Sequence, residues 1–312
     1  MEEQFHMEKI IECIPNFSEG KRQDVIEAIA DEVRAVKDVT LWFYSSDVDY
    51  NRMCIGFIGS PEGVKTAAIN ASLKAAELID MRTHKGAHPR VGAADVIPFV
   101  PLQNVTIEEC AAVAREVAET LAKKLDIPTY LYGQAALAPT RPTQAQIQST
   151  QYEAMFAKIK EPGFGPDFGP CEMNEKHGAT MVGVREQVIS MNFTLATTDL
   201  SIAKKIAASI RESSGGLKNI KAIGVKLADS GLVQVSMDDV NYLKTPLHKP
   251  YELIKMEAER YGTYVMDSEI IGMVPRAALV ELASHYIRLK NNFTDDQIIE
   301  KRLYDHVNAK LQ

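Results

Sequence analysis

With 35 Lys and Arg against 42 Asp and Glu, this 312-residue chain carries a formal net charge of −7, which argues against general binding of nucleic-acid phosphates. Its 46% hydrophobic against 25% charged residues excludes intrinsic disorder, because that much apolar surface offsets the ordering entropy of the chain. The length suggests one large or two medium domains, at roughly 100–200 residues each.

Met1–Glu8 carries three Glu and no apolar core, which reads against a secretion signal. No apolar run approaches the roughly 18 residues that span a bilayer. Cys13, Cys54, Cys110 and Cys171 stand 41, 56 and 61 residues apart, so no C-x-x-C pair suggests zinc or a redox motif. Such cysteines read as reduced thiols of a cytoplasmic protein, most of them buried in strands or helices.

Lys9–Ile14 is an apolar strand stopped by Pro15-Asn16. Ser18 is placed to cap a helix whose Val25, Ile26, Ile29 and Val33 keep helical spacing. Val39–Ser46 and Met53–Gly59 are rich in β-branched and aromatic residues and read as strands. Pro61 suits a first helical turn, and Val64–Ile79 continues as an Ala-rich helix. Ala94–Val100 is a strand in which Pro98 predicts an edge or bulged position. Thr106 and Glu109 form a capping box for a helix through Leu125, and Pro128–Tyr132 adds a strand.

The second half repeats the order. Gln187–Leu195 is strand-like and Ser201–Ile210 helical. Ile220–Leu227 and Leu232–Val240 are strands joined by the turn Asp229-Ser230-Gly231. Leu247–Tyr261 is helical, Glu269–Met273 a strand and Ala277–Leu289 a helix. Two β-α-β-β-α-β units predict an α/β (α+β) fold of two ferredoxin-like sandwich subdomains. Between them Pro139–Thr180 shows little strand signal, though Thr143–Lys160 suits a helix. An irregular stretch this long is more often functional than idle.

The segment most able to carry chemistry runs from Asp80 to Asp95, with His84, His88, Arg82, Lys85 and Arg90 in a chain broken by Gly86, Pro89 and Gly92. Loops at strand ends commonly display reacting groups. His88 suits general acid/base work because its ordinary pKa lies near neutrality, and Arg90 suits a two-point grip on a carboxylate. The same residues also suit a loop merely tied to its sheet, and the residues alone leave both readings open. His84 and His88 are four apart, as in H-E-x-x-H, but Lys85 replaces the Glu and Gly86 and Pro89 break the helix that motif needs. A metal is therefore not expected.

Asp47-Val-Asp49-Tyr-Asn51-Arg52 links two strands. Asp49 is a candidate to hold a cationic group, and Asn51 and Arg52 to bind a carboxylate; a polar hairpin turn is the plainer reading of the spacing. Glu161-Pro162-Gly163-Phe164-Gly165-Pro166-Asp167-Phe168-Gly169-Pro170 is no phosphate loop, since no Gly-Lys-Ser/Thr follows. Phe164 and Phe168 are candidates to stack on a planar ring, and Asp167 to accept a hydrogen bond from a ring amine. A stiff linker is the plainer alternative. Asn16–Gly20 reads as a strand-to-helix turn, and His177, His248 and His285 as isolated structural or surface residues.

At these residues the chain resembles the glutamate formimidoyltransferase (glutamate formiminotransferase) family. The resemblance runs from about Ile10 to about Ala278 and rests on Pro15–Gly20, Asp47-x-Asp49-x-Asn51-Arg52, the His84–Pro101 run, Tyr130–Gly133 and Gly165–Pro170. It implies transfer of a formimino group from N-formimino-L-glutamate to tetrahydrofolate, releasing glutamate late in histidine breakdown. It implies His88 as the catalytic histidine and Glu161–Pro170 as the folate-binding loop. It also implies subdomains 1–179 and 180–312, without the cyclodeaminase region fused to vertebrate relatives. Tyr50 and His177 depart from residues common there.

The expected chemistry is attack of the folate N5 amine on an amidine-like carbon, with His88 as base and then acid. Asp49 faces the cationic formimino group, and Arg52 and Arg90 face the glutamate carboxylates, with no metal and no covalent intermediate. The net charge of −7 then conceals a local gathering of Arg52, Lys85 and Arg90. The rival readings are transfer from N-formylglutamate and a non-catalytic folate-binding protein. The expected partners are small molecules, polyglutamylated folate among them, and a second copy in a homodimer; no nucleic acid or membrane is expected.

Overall fold

The computed structural model describes residues 8–227, 230–290 and 293–311. The chain divides into two units that meet at Arg185/Glu186.

The first unit opens with β1 (Ile10–Cys13) and β2 (Asn16–Phe17), two pieces interrupted by Ile14-Pro15. α1 (Gln23–Arg34) follows, with Val25, Ile26, Ile29, Ala30 and Val33 buried as one stripe, the arrangement its helical apolar spacing dictates. The hairpin of β3 (Val39–Asp47) and β4 (Arg52–Gly59) leads into α2 (Pro61–Leu78), whose Ser60 cap accepts from Gly63 N. β5 (Ala94–Gln103) closes the first β-α-β-β-α-β unit. The strand order β3-β4-β1-β5, antiparallel at each step, is the ferredoxin-like arrangement. α3 (Ile107–Leu125) has the expected Thr106–Glu109 capping box. β6 (Thr129–Gly133), α4 (Gln144–Lys158) and β7 (Thr180–Val184) extend the sheet in parallel beyond β5, in the order β5-β7-β6.

Four details differ from the sequence reading. Ser18 does not cap α1; its Oγ donates to Gly92 O at 2.7 Å, and α1 begins at Gln23 without a side-chain cap. Pro98 is not at an edge, because β5 pairs on both sides. It lies opposite the Ile14-Pro15 interruption, where Ile14 N donates to its carbonyl at 3.1 Å. Thr180–Val184 is a buried strand of the first sheet, so the units part six residues beyond Ala179. α4 is broken at Gln151, where φ is 56° and ψ 168°.

The second unit comprises β8 (Ile189–Leu195), α5 (Leu200–Ile210), β9 (Ile220–Lys226), β10 (Val233–Asp239), α6 (His248–Arg260), β11 (Val265–Ile271), α7 (Arg276–Ile287) and α8 (Ile299–Leu311). Its order β11-β8-β10-β9, antiparallel throughout, repeats the ferredoxin-like pattern. Ile189, Met191, Phe193 and Leu195 of β8 alternate inward with Val233, Val235 and Met237 of β10 to form its core. Asp229 of the expected β9–β10 turn lies outside the described residues, as do residues 1–7 of the leading acidic segment.

Cys13 and Cys110 are buried, Cys54 is half-buried and Cys171 is exposed, none in a disulfide. His248 and His285, isolated in sequence, stack at 3.9 Å between ring centroids with planes 8° apart. Among the described residues no helix is long and apolar enough to cross a membrane.

Candidate active site around His88

The residues between α2 and β5 form an irregular loop held by side-chain ties and scattered backbone bonds rather than by a ladder. Asn51, at φ 47° in the turn of the β3–β4 hairpin, is its staple. Its Oδ1 accepts from Gly20 N at 2.9 Å, its Nδ2 donates to Lys85 O at 2.8 Å, and its carbonyl lies 3.0 Å from His84 Nε2. Three segments distant in sequence thereby meet at one amide. Gly86 permits the approach: a Cβ there would stand 2.3 Å from Tyr50 O and 2.7 Å from Asn51 Cβ.

The loop then runs along the hairpin tip. Ala87 N donates to Asp49 O at 3.1 Å and His88 N to Tyr50 O at 3.3 Å, while the Tyr50 ring stands edge-on to the His88 ring at 6.5 Å. His88 Nε2 lies 3.4 Å from Arg52 Nη1, which also donates to Asn16 Oδ1 at 2.9 Å. A guanidinium only donates, so this contact is a hydrogen bond in the tautomer whose Nε2 is unprotonated. Burial, the Arg52 charge and His84 together push the His88 pKa down to about 4, which favours the uncharged ring at neutral pH. Asn16, Arg52 and His88 thus converge, one from each of three segments.

Arg90 is placed differently from the sequence expectation. It is 4% exposed, and its guanidinium takes Glu153 of α4 in a two-point pair at 2.8 Å and 2.8 Å. Its remaining donors meet His84 Nδ1 at 3.3 Å and His84 O at 3.2 Å. The fork expected to hold a substrate carboxylate holds a protein one. Lys85 Nζ joins the same Glu153 at 3.2 Å. Of the three cations expected to gather, Arg52 stands beside His88, while Lys85 and Arg90 converge on Glu153.

His84 spends both ring nitrogens on Arg90 and Asn51, and burial lowers its pKa, so its part is to orient the loop. Among the described residues no group of three or more His, Cys, Asp or Glu is disposed to hold a metal. The Asp49 side chain is exposed at the hairpin tip, one residue from the backbone contact with His88.

The 161–170 loop lies on edge strand β6. Asp167 N donates to Thr129 O and Thr129 N to Phe168 O, each at 2.9 Å. Phe164 is buried against Tyr130, with ring centroids 6.1 Å apart, and its carbonyl accepts from Tyr130 Oη at 3.1 Å. Its ring packs on the core, and Lys158 Nζ lies 5.2 Å from its centroid. Asp167 accepts from Leu131 N at 2.8 Å and pairs with Arg141 Nε at 3.0 Å; Arg141 Nη2 also holds Gly165 O at 2.6 Å. Glu161, Pro162, Gly163 and Gly169 are exposed, whereas Gly165, Pro166, Phe168 and Pro170 are partly covered. Beside the loop, Arg141, Thr150, Ala154, Lys158, Glu161 and Phe164 line a groove of about 750 Å³.

Sequence reasoning missed Glu153, Gln148, Asn16 and Asp95. Asn16 had a signal in the Pro15–Gly20 motif, which composition alone reads as a turn. Glu153 and Gln148 had none, being polar positions on a polar helix whose partners lie about 60 residues upstream.

Comparisons with known proteins place the chain as a whole. Residues 10–185 match the formiminotransferase domain, N-terminal subdomain, and residues 190–305 match the formiminotransferase domain. The chain is 42% identical over 297 residues to the glutamate formimidoyltransferase of Streptococcus pyogenes serotype M1, covering 95% of this chain and 99% of that protein. It is likewise 42% identical over 303 residues to the glutamate formimidoyltransferase of Thermoplasma acidophilum, covering 96% and 99%. Against the formimidoyltransferase-cyclodeaminase of Gallus gallus the identity is 39%, over 92% of this chain and 54% of that protein.

Proposed function

The chain belongs to the formiminotransferase family and is a transferase, and we propose that it moves the formimino group of N-formimino-L-glutamate to N5 of tetrahydrofolate. The observation that carries this reading is the His88 ring with its Nε2 3.4 Å from Arg52 Nη1, where burial and that charge push its pKa down to about 4. The products are 5-formiminotetrahydrofolate and L-glutamate. Folate is a co-substrate here, and every step falls to side chains of the protein.

N5 attacks the amidine-like carbon and a C–N bond forms. The N5 proton passes to His88 Nε2, giving a tetrahedral intermediate and an imidazolium. That imidazolium then protonates the glutamate nitrogen, the C–N bond to glutamate breaks, and the neutral ring returns. A ring with a pKa near 4 is a modest base but a strong acid once charged, which favours the second step. Arg52, beside the ring, binds a glutamate carboxylate by charge-assisted hydrogen bonds. Asn51 and Arg90 act in this reading by holding the loop. Asp49, exposed beside the His88 backbone, faces the cationic formimino group.

The 161–170 loop, with the groove at its flank, binds the folate. Its exposed edge at Glu161–Gly163 meets the ligand, while Phe164 and Asp167 give the loop its shape. The reduced thiols fit a cytoplasmic setting, and a homodimer completes the proposal.

Turnover of tetrahydrofolate, followed spectroscopically with formiminoglutamate and formylglutamate side by side, tests the reading. Faster transfer from the formimino donor supports it; equal rates, or folate binding without turnover of either, overturn it.

A further inference from the structure

Asp95 is the second residue of β5, five positions beyond Arg90, and is 2% exposed. Its Oδ1 accepts from Val91 N at 2.6 Å, with Gly92 N a further backbone donor, and its Oδ2 accepts from Gln148 Nε2 at 2.9 Å. The same Gln148 Nε2 donates to Pro89 O at 3.2 Å. One amide from α4 therefore bridges the carbonyl next to His88 and the carboxylate that closes the Val91-Gly92 turn. The segment has no regular ladder of its own, and Pro89 has no N–H to give. These side-chain ties hold the stretch between two backbone anchors, His88 N to Tyr50 O and Ala93 N to His177 O.

The shape of α4 supports the same conclusion. Gln148 ties Pro89 and Asp95, while Glu153 ties Arg90. Positions five apart on a regular helix face about 140° apart, yet both reach one loop. The break at Gln151, in a backbone region that costs a non-glycine residue on the order of 1–3 kcal/mol, turns the second half of the helix so that both can.

Resting on the transfer reaction above, we propose that Asp95 is a positioning residue for His88, acting through Val91, Gly92 and, by way of Gln148, Pro89. Its carboxyl faces Arg52 from β4 and Tyr132 from β6, and burial raises its pKa to about 7 against the opposing pull of its donors and Arg52. Protonation removes an acceptor place from Val91, Gly92 or Gln148. The pH profile of kcat then carries a step near 7 that belongs to Asp95, separate from the His88 titration near 4.

The test measures kcat and both KM values from about pH 4 to 9 for wild type, Asp95→Asn and Gln148→Ala, alongside the nitrogen resonances of the His88 ring in the ligand-free protein. Asp95→Asn lowers kcat by about 10²-fold, the scale of a misplacement of ~1 Å, with both KM values held and the step near 7 gone. Gln148→Ala lowers kcat less, about tenfold, and the double variant is no worse than Asp95→Asn alone, since both act on one loop. The ring resonances broaden or split in both variants. Wild-type kcat in both variants, a step near 7 that survives Asp95→Asn, or unchanged ring resonances overturns the proposal. Gln148 is only half-buried, so Gln148→Ala carries the test if Asp95→Asn does not fold. If the wild type turns over neither donor, the transfer reading fails, and the ring resonances alone then decide the positioning.

Discussion

Arg52 Nη1 stands 3.4 Å from His88 Nε2 and 2.9 Å from Asn16 Oδ1. One cation thus holds the imidazole neutral and waits for an anion. Its charge is, after burial, the next cause of the depressed His88 pKa. Arg52→Gln therefore raises the His88 pKa and moves the acid limb of kcat/KM to higher pH, because the reaction needs the neutral ring. Loss of the carboxylate partner also raises KM for the glutamate donor about ten- to a hundredfold, the 1.5–3 kcal/mol scale of a charged hydrogen bond. An acid limb that stays in place argues against the electrostatic coupling.

His88→Ala removes the only group assigned to carry protons. The expected loss in kcat is about 10²–10⁴-fold, the usual contribution of a positioned general acid/base. His88 is half-buried and its ring accepts a single 3.4 Å contact, so the thermal midpoint changes little. Steady-state kinetics with a melting curve on the same preparation separates the two effects. Wild-type turnover in the folded variant would falsify the assignment.

The two-point pair of Glu153 and Arg90 gives a stability prediction with a defined sign. Hydrogen bonds from Arg90 are the largest cause that holds the Glu153 carboxyl at about 2, below its ordinary 4.5. A depressed carboxylate contributes stability that is present above its unfolded pKa and lost as pH falls through the folded one. Wild type and Glu153→Gln thus differ most in thermal midpoint above about pH 5, and the gap closes between 4.5 and 2. Glu153 is 52% exposed, so solvent screening keeps this contribution modest. The larger effect is on kcat, because Arg90 anchors the loop that carries His88. A gap that persists unchanged at pH 2 argues against the pair.

The ferredoxin-like order was legible because each strand and helix of the repeat carries its own period, and α1 buries the residues whose spacing announced it. β7 escaped notice because Thr180–Val184 is buried at every position and so lacks the alternation of a half-covered strand. The same contrast holds at the site. His88 and Arg52 stand out as chemical groups in a loop broken by Gly and Pro. The partner of Arg90 does not, because Glu153 is one charge on a polar helix and the pairing depends on a backbone break at Gln151. Chemical type marks what can react; the tertiary path decides which charges are already spent.

Gly86 tests the packing of the loop directly. A Cβ at this position meets backbone at Tyr50 O, 2.3 Å away, and the Asn51 side chain at 2.7 Å. Neither can move far, since Asn51 is bonded to Gly20, Lys85 and His84. Gly86→Ala should cost about 1–3 kcal/mol, the usual range for overpacking, and lower kcat because the loop must lift from the hairpin. Denaturant unfolding and steady-state kinetics check both parts. A stable, fully active variant would show that the loop does not need this contact.

The stacked His248 and His285 join α6 to α7 in the second unit. Burial is the main cause of the lowered His248 pKa, with His285 adding to it against the opposite pull of Glu281 and Glu252; Lys249 also lowers it. The folded state therefore prefers the neutral ring, and the unfolded state binds more protons between the folded pKa and the ordinary 6.5. Stability is fully present above 6.5 and declines as pH falls below it. His248→Asn should flatten that decline while leaving stability at pH 8 within about 1 kcal/mol of wild type, since the ring is only half-buried. Hydrogen exchange localises the effect: amides of α7 lose protection first as the His248 ring charges. An unaltered slope in His248→Asn assigns the acid sensitivity to other groups.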